Sequence, residues 1–379
     1  MKKKSLRCII AIAAGTLLFT SCKKRDFPPL CGGPNDSTVT TTKVFATGLN
    51  DPRGLKFGPD GNLYVAEAGI GGTDSTECTQ VVPPVGPYRG SDTGSRISKI
   101  DWKGNRTTYV DHLPSSITTP ETGSGIEGVA DVAFIGTNMY AILAGAGCSH
   151  GVAGIPNGVI KINPDRSWNM IANLSHFLKT HPVQNPFPGD FEPDGTWWSM
   201  INASGNLYAV EPNHGELDKI TPQGNVSRVI DISASQGHIV PTALTYHDGI
   251  FWISNLNVFP VVPGSSSIYQ VTQDGQIKTY ATGFTNVLDL LFDNHDRLYV
   301  LEANTAAGGL TPGTGDIVRL DQFGNREIIA SGLNFPTAMT FGPDGKLYVS
   351  AWGIGPPGAG QILQIGFKCE EVQADDVKQ

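Results

Sequence analysis

The chain has 379 residues, with 46 glycines, 26 prolines and only 16% charged side chains, a balance that suits short strands joined by tight turns and argues against a helical or disordered protein. Its 35 acidic residues outnumber 27 basic ones, so a nucleic-acid partner, which needs clustered Lys and Arg, is not expected. The length admits two average domains, but also one repeat array, because repeat folds outgrow the usual domain size.

Residues 1–21 carry Lys2, Lys3, Lys4 and Arg7, then an apolar run over 8–19 that is too short to span a bilayer. This is the pattern of an export signal. Leu18-Phe19-Thr20-Ser21-Cys22 resembles a lipobox, in which small residues before the cysteine admit cleavage and the thiol is then acylated. Cys22 is therefore the expected lipid-bearing residue, with residues 22–41 as a linker to the membrane and a place in the cell envelope, outside the cytoplasm. Loss of the four basic residues of the signal moves the net charge from −8 to −12. Lys23, Lys24 and Arg25 remain where anionic head groups would lie.

Four further cysteines, Cys31, Cys78, Cys148 and Cys369, suit an oxidising compartment and allow three pairings. Cys31 with Cys369 is favoured because both flank the repeats, and Cys78 with Cys148 because both fall in matching loops. No C-x-x-C occurs, which disfavours zinc.

A strand motif recurs through the rest of the chain. Taking Leu63, Met139, Leu207, Phe251, Leu298 and Leu347 as equivalent, the spacings are 76, 68, 44, 47 and 49 residues. The base unit is thus in the mid-forties, the size of one four-stranded propeller blade, and two units are enlarged. A second hairpin follows in the units, with turns such as Lys103-Gly104-Asn105, Gln223-Gly224-Asn225 and Phe323-Gly324-Asn325. The sixth unit ends at residues 361–365 with only three strands written. Val44-Phe45-Ala46-Thr47-Gly48-Leu49 matches the fourth strands at 280–284 and 329–333, so it is expected to complete the last blade and remove two exposed strand edges. The expected fold is all-β: a six-bladed β-propeller over residues 42–368, monomeric, with one short helix at 173–180 and an acidic tail at 369–379. A sandwich gives no reason for a sixfold repeat, and a solenoid needs caps rather than a displaced strand.

In a propeller, the loops from second to third strand and from fourth strand to the next blade open on one face. The insertions, at 68–95, 114–128, 144–157, 175–196, 256–266 and 303–315, are all of these kinds, so that face is the expected binding face. Aligned units place Glu67, Leu143, Glu211, Asn255, Glu302 and Ala351 at the close of each second strand. They place Gly54, Asp131, Trp198, Ala243, Asp289 and Ala338 nearest the axis, with Asp131 and Asp289 facing each other across it. Glu67, Glu211, Asn255, Asp289 and Glu302 are candidate ligands for a hard cation such as Ca²⁺, which takes several oxygens. Carboxylates in such a ring can instead accept backbone N–H groups for purely structural reasons. Trp197, Trp198, Trp352 and Phe259 offer ring faces for a ligand, although filling the space between blades is the better reading for Trp198. Residues 147–151 match G-x-S-x-G but fall in an inter-strand loop, away from the strand-to-helix turn a nucleophile elbow requires.

These segments resemble the ScyD/ScyE family of propellers related to NHL-repeat folds. The resemblance rests on residues 48–55, on Leu63-Tyr64-Val65-Ala66-Glu67-Ala68-Gly69, on Asp190-Phe191-Glu192-Pro193-Asp194-Gly195, on Val240-Pro241-Thr242 and on residues 283–290. It implies the fold and no general activity. More distantly, the chain is similar to gluconolactonase-like and strictosidine-synthase-like propellers. The former hold a central divalent ion with a Glu from a Glu-Gly-Pro segment, where this chain has Asp51-Pro52-Arg53-Gly54. The expectation is a propeller that binds a small molecule, glycan or protein on its loop-rich face, through Glu67, Asp131, Trp198, Glu211, Asn255, Asp289, Glu302 and Trp352. The alternative is a Ca²⁺-dependent hydrolase or lactonase.

Overall fold

The recurring Leu-Tyr-Val segments are strands buried on both faces: every residue of Leu63–Glu67, Leu298–Glu302 and Leu347–Ala351 is buried. A strand with no wet face needs a sheet packed on each side. A ring of sheets provides this for every repeat and leaves no end exposed. The computed structural model describes residues 36–81, 83, 85–118 and 125–371, with side chains described within 39–368, and it is a six-bladed β-propeller. Residues 1–21, read as an export signal, and Cys22, Cys31 and the side chain of Cys369 lie outside the described residues.

In chain order, β1 (Asp36–Leu49) precedes blade 1, which comprises β2 (Pro52–Phe57), β3 (Leu63–Glu67), β4 (Tyr88–Ile100) and β5 (Arg106–Thr118), with the short β6 (Ile126–Glu127) on its outer edge. Blade 2 holds β7 (Val129–Ile135), β8 (Asn138–Leu143), β9 (Gly158–Ile162) and β10 (Trp168–Asn173). Blade 3 holds β11 (Ser199–Ala203), β12 (Asn206–Glu211), β13 (Glu216–Ile220) and β14 (Val226–Asp231). Blade 4 is β15 (Pro241–His247), β16 (Ile250–Asn255), β17 (Ser266–Val271) and β18 (Ile277–Phe284). Blade 5 is β19 (Val287–Phe292), β20 (Leu298–Glu302), β21 (Gly315–Leu320) and β22 (Arg326–Leu333). Blade 6 joins β23 (Ala338–Phe341), β24 (Leu347–Ala351) and β25 (Gly360–Glu371) to β1.

β1 runs antiparallel to β25, with Val44 opposite Leu363, Thr47 opposite Gln361 and Leu49 opposite Gly360. The displaced strand therefore closes the ring as its sequence required. The pairing continues to Asp36 opposite Glu371, so strand structure takes in residues read as linker and tail. Beyond Ile365, β25 has left β24 and pairs with β1 alone. β4 and β5 likewise extend into two segments read as loops, because their pairing resumes past a bulge, with Tyr88 opposite Thr118.

Two short helices interrupt the strands. α1 (Leu174–Thr180) starts where expected, because the Asn173 side chain accepts from His176 N and caps it. α2 (Ser233–Gln236) is a single turn in the crossing from blade 3 to blade 4, without the apolar period that would announce it. Among the described residues no helix is long and apolar enough to cross a membrane.

The core lies between blades. Ala130, Ile142 and Val159 of blade 2 pack with Met200, Leu207 and Ile220 of blade 3, around the fully buried Trp197. At the closing seam, Ala46 and Leu49 of β1 pack with Leu55, Leu63 and Val65 of blade 1 and with Ala338 and Ile362 of blade 6. Leu49→Ala is expected to destabilise the fold by about 2–5 kcal/mol in chemical denaturation. Lys43→Ala, on the exposed part of the same strand, should stay within about 0.5 kcal/mol.

Candidate functional site

The axis is closed by side chains. Gly54, Lys56, Asp131, Ser199, Asp289 and Ala338 surround a cavity of about 10 Å³, room for roughly one water. Asp131 and Asp289 do meet here, and each is a fastener. Asp131 accepts from its neighbour Val132 N (2.8 Å) and from Met200 N of blade 3 (2.9 Å). Asp289 accepts from Leu290 N (2.8 Å) and from Met339 N of blade 6 (2.7 Å). Burial pushes Asp289 up to about 7 and also raises Asp131, with Lys56 opposing the shift in both. In blade 3 the position nearest the axis is Ser199 rather than Trp198: Ser199 pairs with Val210, as Asp131 does with Ile142 and Asp289 with Leu301. The tryptophan roles follow from that one-residue shift. Trp197 fills the space between blades and donates to Asp218, while Trp198 stacks on the Arg53 guanidinium at 4.5 Å and faces an open bowl above the axis.

The proposed calcium ligands are not brought together. Glu67, Glu211 and Glu302 are buried within or between blades, where each accepts a backbone N–H from the loop before its own inner strand: Asn50 N, Thr196 N and Thr285 N respectively. Glu67 is also bound by Arg96 at 2.8 Å and by the Ser98 hydroxyl. Asn255 donates to Ile239 O and accepts from Ser267 N. Burial raises Glu211 and Glu302 to about 8. Only Asp289 of the five reaches the axis, so these residues do not fit a shared cation.

Above the plugged axis, the loops of all six blades enclose the bowl, about 810 Å³ on the loop-rich face. Most of its wall is apolar, with Trp198, Val240, Phe259, Leu288, Phe335 and Ile354. Phe259 is there as expected, whereas Trp352 stands outside the wall with its ring edge on Phe335. One sector is polar: Arg53, Tyr88, Glu127, Asp190 and Glu192, from blades 1 to 3. The β4–β5–β6 edge ladder places Tyr88 and Glu127, because Tyr88 pairs with Thr118 and Ser116 with Glu127. Arg53 donates to Ile126 O at 2.6 Å and lies 3.9 Å from Glu127.

Behind this sector stands His150, whose Nδ1 is 2.9 Å from the Ser116 hydroxyl and whose Nε2 is 3.3 Å from Glu192 Oε2. It sits in the 3₁₀ turn Cys148–His150, not on a strand-to-helix elbow, and the turn is held from two sides. Cys148 is disulfide-bonded to Cys78, with Cα atoms 6.1 Å apart, and the Ser149 hydroxyl donates to Asp194. Asp51 Oδ1, Arg53 Nε and Thr196 Oγ1 are buried without hydrogen-bond partners, and the 3.3 Å contact of His150 Nε2 with Glu192 Oε2 lacks hydrogen-bond geometry. Unpaired buried groups are rare in folded proteins, and several in one sector mark it out. Alignment of the repeats passes over this set because its members sit in non-equivalent loops. The available signals were Asp51-Pro52-Arg53-Gly54 and Asp190-Phe191-Glu192-Pro193-Asp194-Gly195, which stood out only as family markers.

No protein-family model matches the chain, and no curated protein sequence does. Solved structures do. A Bacteroides thetaiotaomicron protein of unknown function is 12% identical, with TM-score 0.56, over 88% of this chain and 77% of that one. A candidate oxidoreductase (glucose dehydrogenase) from Thermus thermophilus is 17% identical, with TM-score 0.54, over 86% and 100%. A gluconolactonase from Xanthomonas campestris is 8% identical, with TM-score 0.54, over 87% and 90%. At these identities the likeness establishes the propeller fold.

A Cβ on Gly54 would fall 1.9 Å from Asp131 Oδ1 and 2.9 Å from its Cα. Because hydrogen bonds hold that carboxylate, Gly54→Ala is expected to cost about 1–3 kcal/mol in denaturation. Asp289 has its carboxyl raised from 3.8 to about 7 in the folded chain. Between those values the folded state keeps a proton that the unfolded chain releases, so this group makes stability fall as pH rises from about 4 to about 7. Melting curves of Asp289→Asn should show a flatter decline over that window, together with lower stability throughout, since an acceptor oxygen is lost.

Proposed function

We propose that the chain is a lipid-anchored propeller of the cell envelope, tethered through Cys22, whose bowl binds a small organic molecule. The observation that carries this reading is the bowl itself: about 810 Å³, with mostly apolar walls and one polar sector, and with Arg53 Nε and the Thr196 hydroxyl buried there without hydrogen-bond partners. Small-molecule sites have this size and this distribution of polarity, whereas a protein partner needs a broad surface. The plugged axis supports a closed-bottomed site rather than a pore. The tether rests on the lipobox-like Leu18-Phe19-Thr20-Ser21-Cys22. Propellers of the same fold include ones named for glucose oxidation and for gluconolactone hydrolysis, which makes sugars and lactones reasonable members of a first ligand panel.

The test is a thermal-shift panel of neutral sugars, lactones, aryl glycosides and organic amines, followed by calorimetry on any that raise the melting temperature. A ligand at about 100 times its Kd should add roughly 2.7 kcal/mol. Trp198→Ala, which removes the largest ring on the bowl wall, is expected to weaken the hit about tenfold or more. A hit indifferent to both Trp198→Ala and Phe259→Ala would place binding elsewhere and end this reading.

A further inference from the structure

The polar sector brings together more carboxyl groups than basic groups facing them. Four carboxyl groups meet in it or directly behind it, Asp51, Glu127, Asp190 and Glu192. They face three basic groups: Arg53 is 3.9 Å from Glu127, His150 is 3.3 Å from Glu192, and His238 is 3.0 Å from Asp190. Burial pushes Asp51 up to about 7 and raises Glu127, while the charges of Glu192, Glu127 and Asp190 add to burial in raising Tyr88. Glu192 is 3% exposed and lines the bowl with its Oε2 3.3 Å from His150 Nε2, and the Thr196 hydroxyl, also on the bowl wall, is buried without a hydrogen-bond partner. Buried acceptors short of donors at a cavity wall are stabilised by a donor brought from outside.

We propose that this sector recognises an organic cation, a primary ammonium or amidinium group carried on an apolar body, and this rests on the reading of the bowl as a small-molecule site. The apolar body is implied by the rest of the wall, where Trp198, Val240, Leu288 and Phe335 offer no polar partner of comparable strength. A bare metal ion fits less well. Among the described residues, the set of three His, Cys, Asp or Glu side chains whose ligand atoms lie within 4.8 Å of one another is His247, Asp248 and Asp296, on the opposite face. The carboxylates of the bowl are spread more widely, which suits a polyatomic group with several N–H donors.

The experiment titrates the full chain by calorimetry, at low salt, with cyclohexylmethylamine, cyclohexylmethanol and cyclohexanecarboxylate, which share one apolar body. The amine is expected to bind at least about tenfold more tightly than the alcohol, and the carboxylate most weakly. Glu192→Gln and, separately, Glu127→Gln should each weaken the amine about tenfold and leave the alcohol within about twofold, with melting curves confirming that each variant is folded. Asp248→Asn, on the far face, should change neither. Equal binding of alcohol and amine, both weakened by Trp198→Ala, overturns the cation inference and leaves the bowl in place. Tight amine binding that ignores both Gln variants overturns the assigned sector. Failure of all three probes overturns the inference together with the reading on which it rests.

Discussion

Pairing of β1 with β25 is the constraint on which the rest of this molecule depends. Without it, blade 6 would end in an unpaired strand and the seam with blade 1 would lose the buried Ala46 and Leu49 side chains. With it, the seam becomes as well bonded as any other interface: Thr337 Oγ1 donates to Pro52 O at 2.7 Å, and Ser350 Oγ to Arg53 O at 2.8 Å. Those two bonds fix the backbone that carries Arg53, so the residue that joins the apolar and polar parts of the bowl is positioned by ring closure. Burial of Leu49 and Ala46 supplies the apolar part of the same seam.

Carboxylates serve this scaffold as connectors. Asp131 and Asp289, three blades apart, each bridge their own strand to the inner strand of the next blade, and Glu67, Glu211 and Glu302 each tie a second strand to the loop before its blade. A buried acid is costly unless backbone donors or protons compensate it. Here they do so in a repeated geometry, which explains why acidic residues recur at equivalent positions with no ligand between them.

The fold was legible because its signal is periodic. Six Leu-Tyr-Val-like strands and one orphaned fourth strand leave little choice of architecture, and Asp131 and Asp289 were placed correctly on the axis by counting. Blade 3 broke the count because Trp197 and Trp198 are adjacent, and a one-residue shift in a strand exchanges its faces. The polar sector was not legible in the same way. Arg53, Tyr88, Glu127, His150 and Glu192 occupy five different structural contexts, among them a strand extension, a two-residue edge strand and a 3₁₀ turn. Their convergence depends on long-range packing that leaves no period in the chain. The extension of β4 and β5 past a bulge, which carries Tyr88 to the bowl, was hidden in a segment rich in Gly, Pro and Ser.

The last part of β25 has a geometric consequence. β1 enters blade 6 from the face opposite the bowl and ends at Leu49 on the bowl side, and beyond Ile365 the two strands pair only with each other, with Thr40 donating to Ile329 O and Phe367 packed against Tyr299. Asp36 and Glu371, where the described chain begins and ends, therefore lie side by side on the underside. Neither Asp36 nor Glu371 therefore comes near the mouth of the bowl, and the loops that form its rim are free of both ends of the described chain.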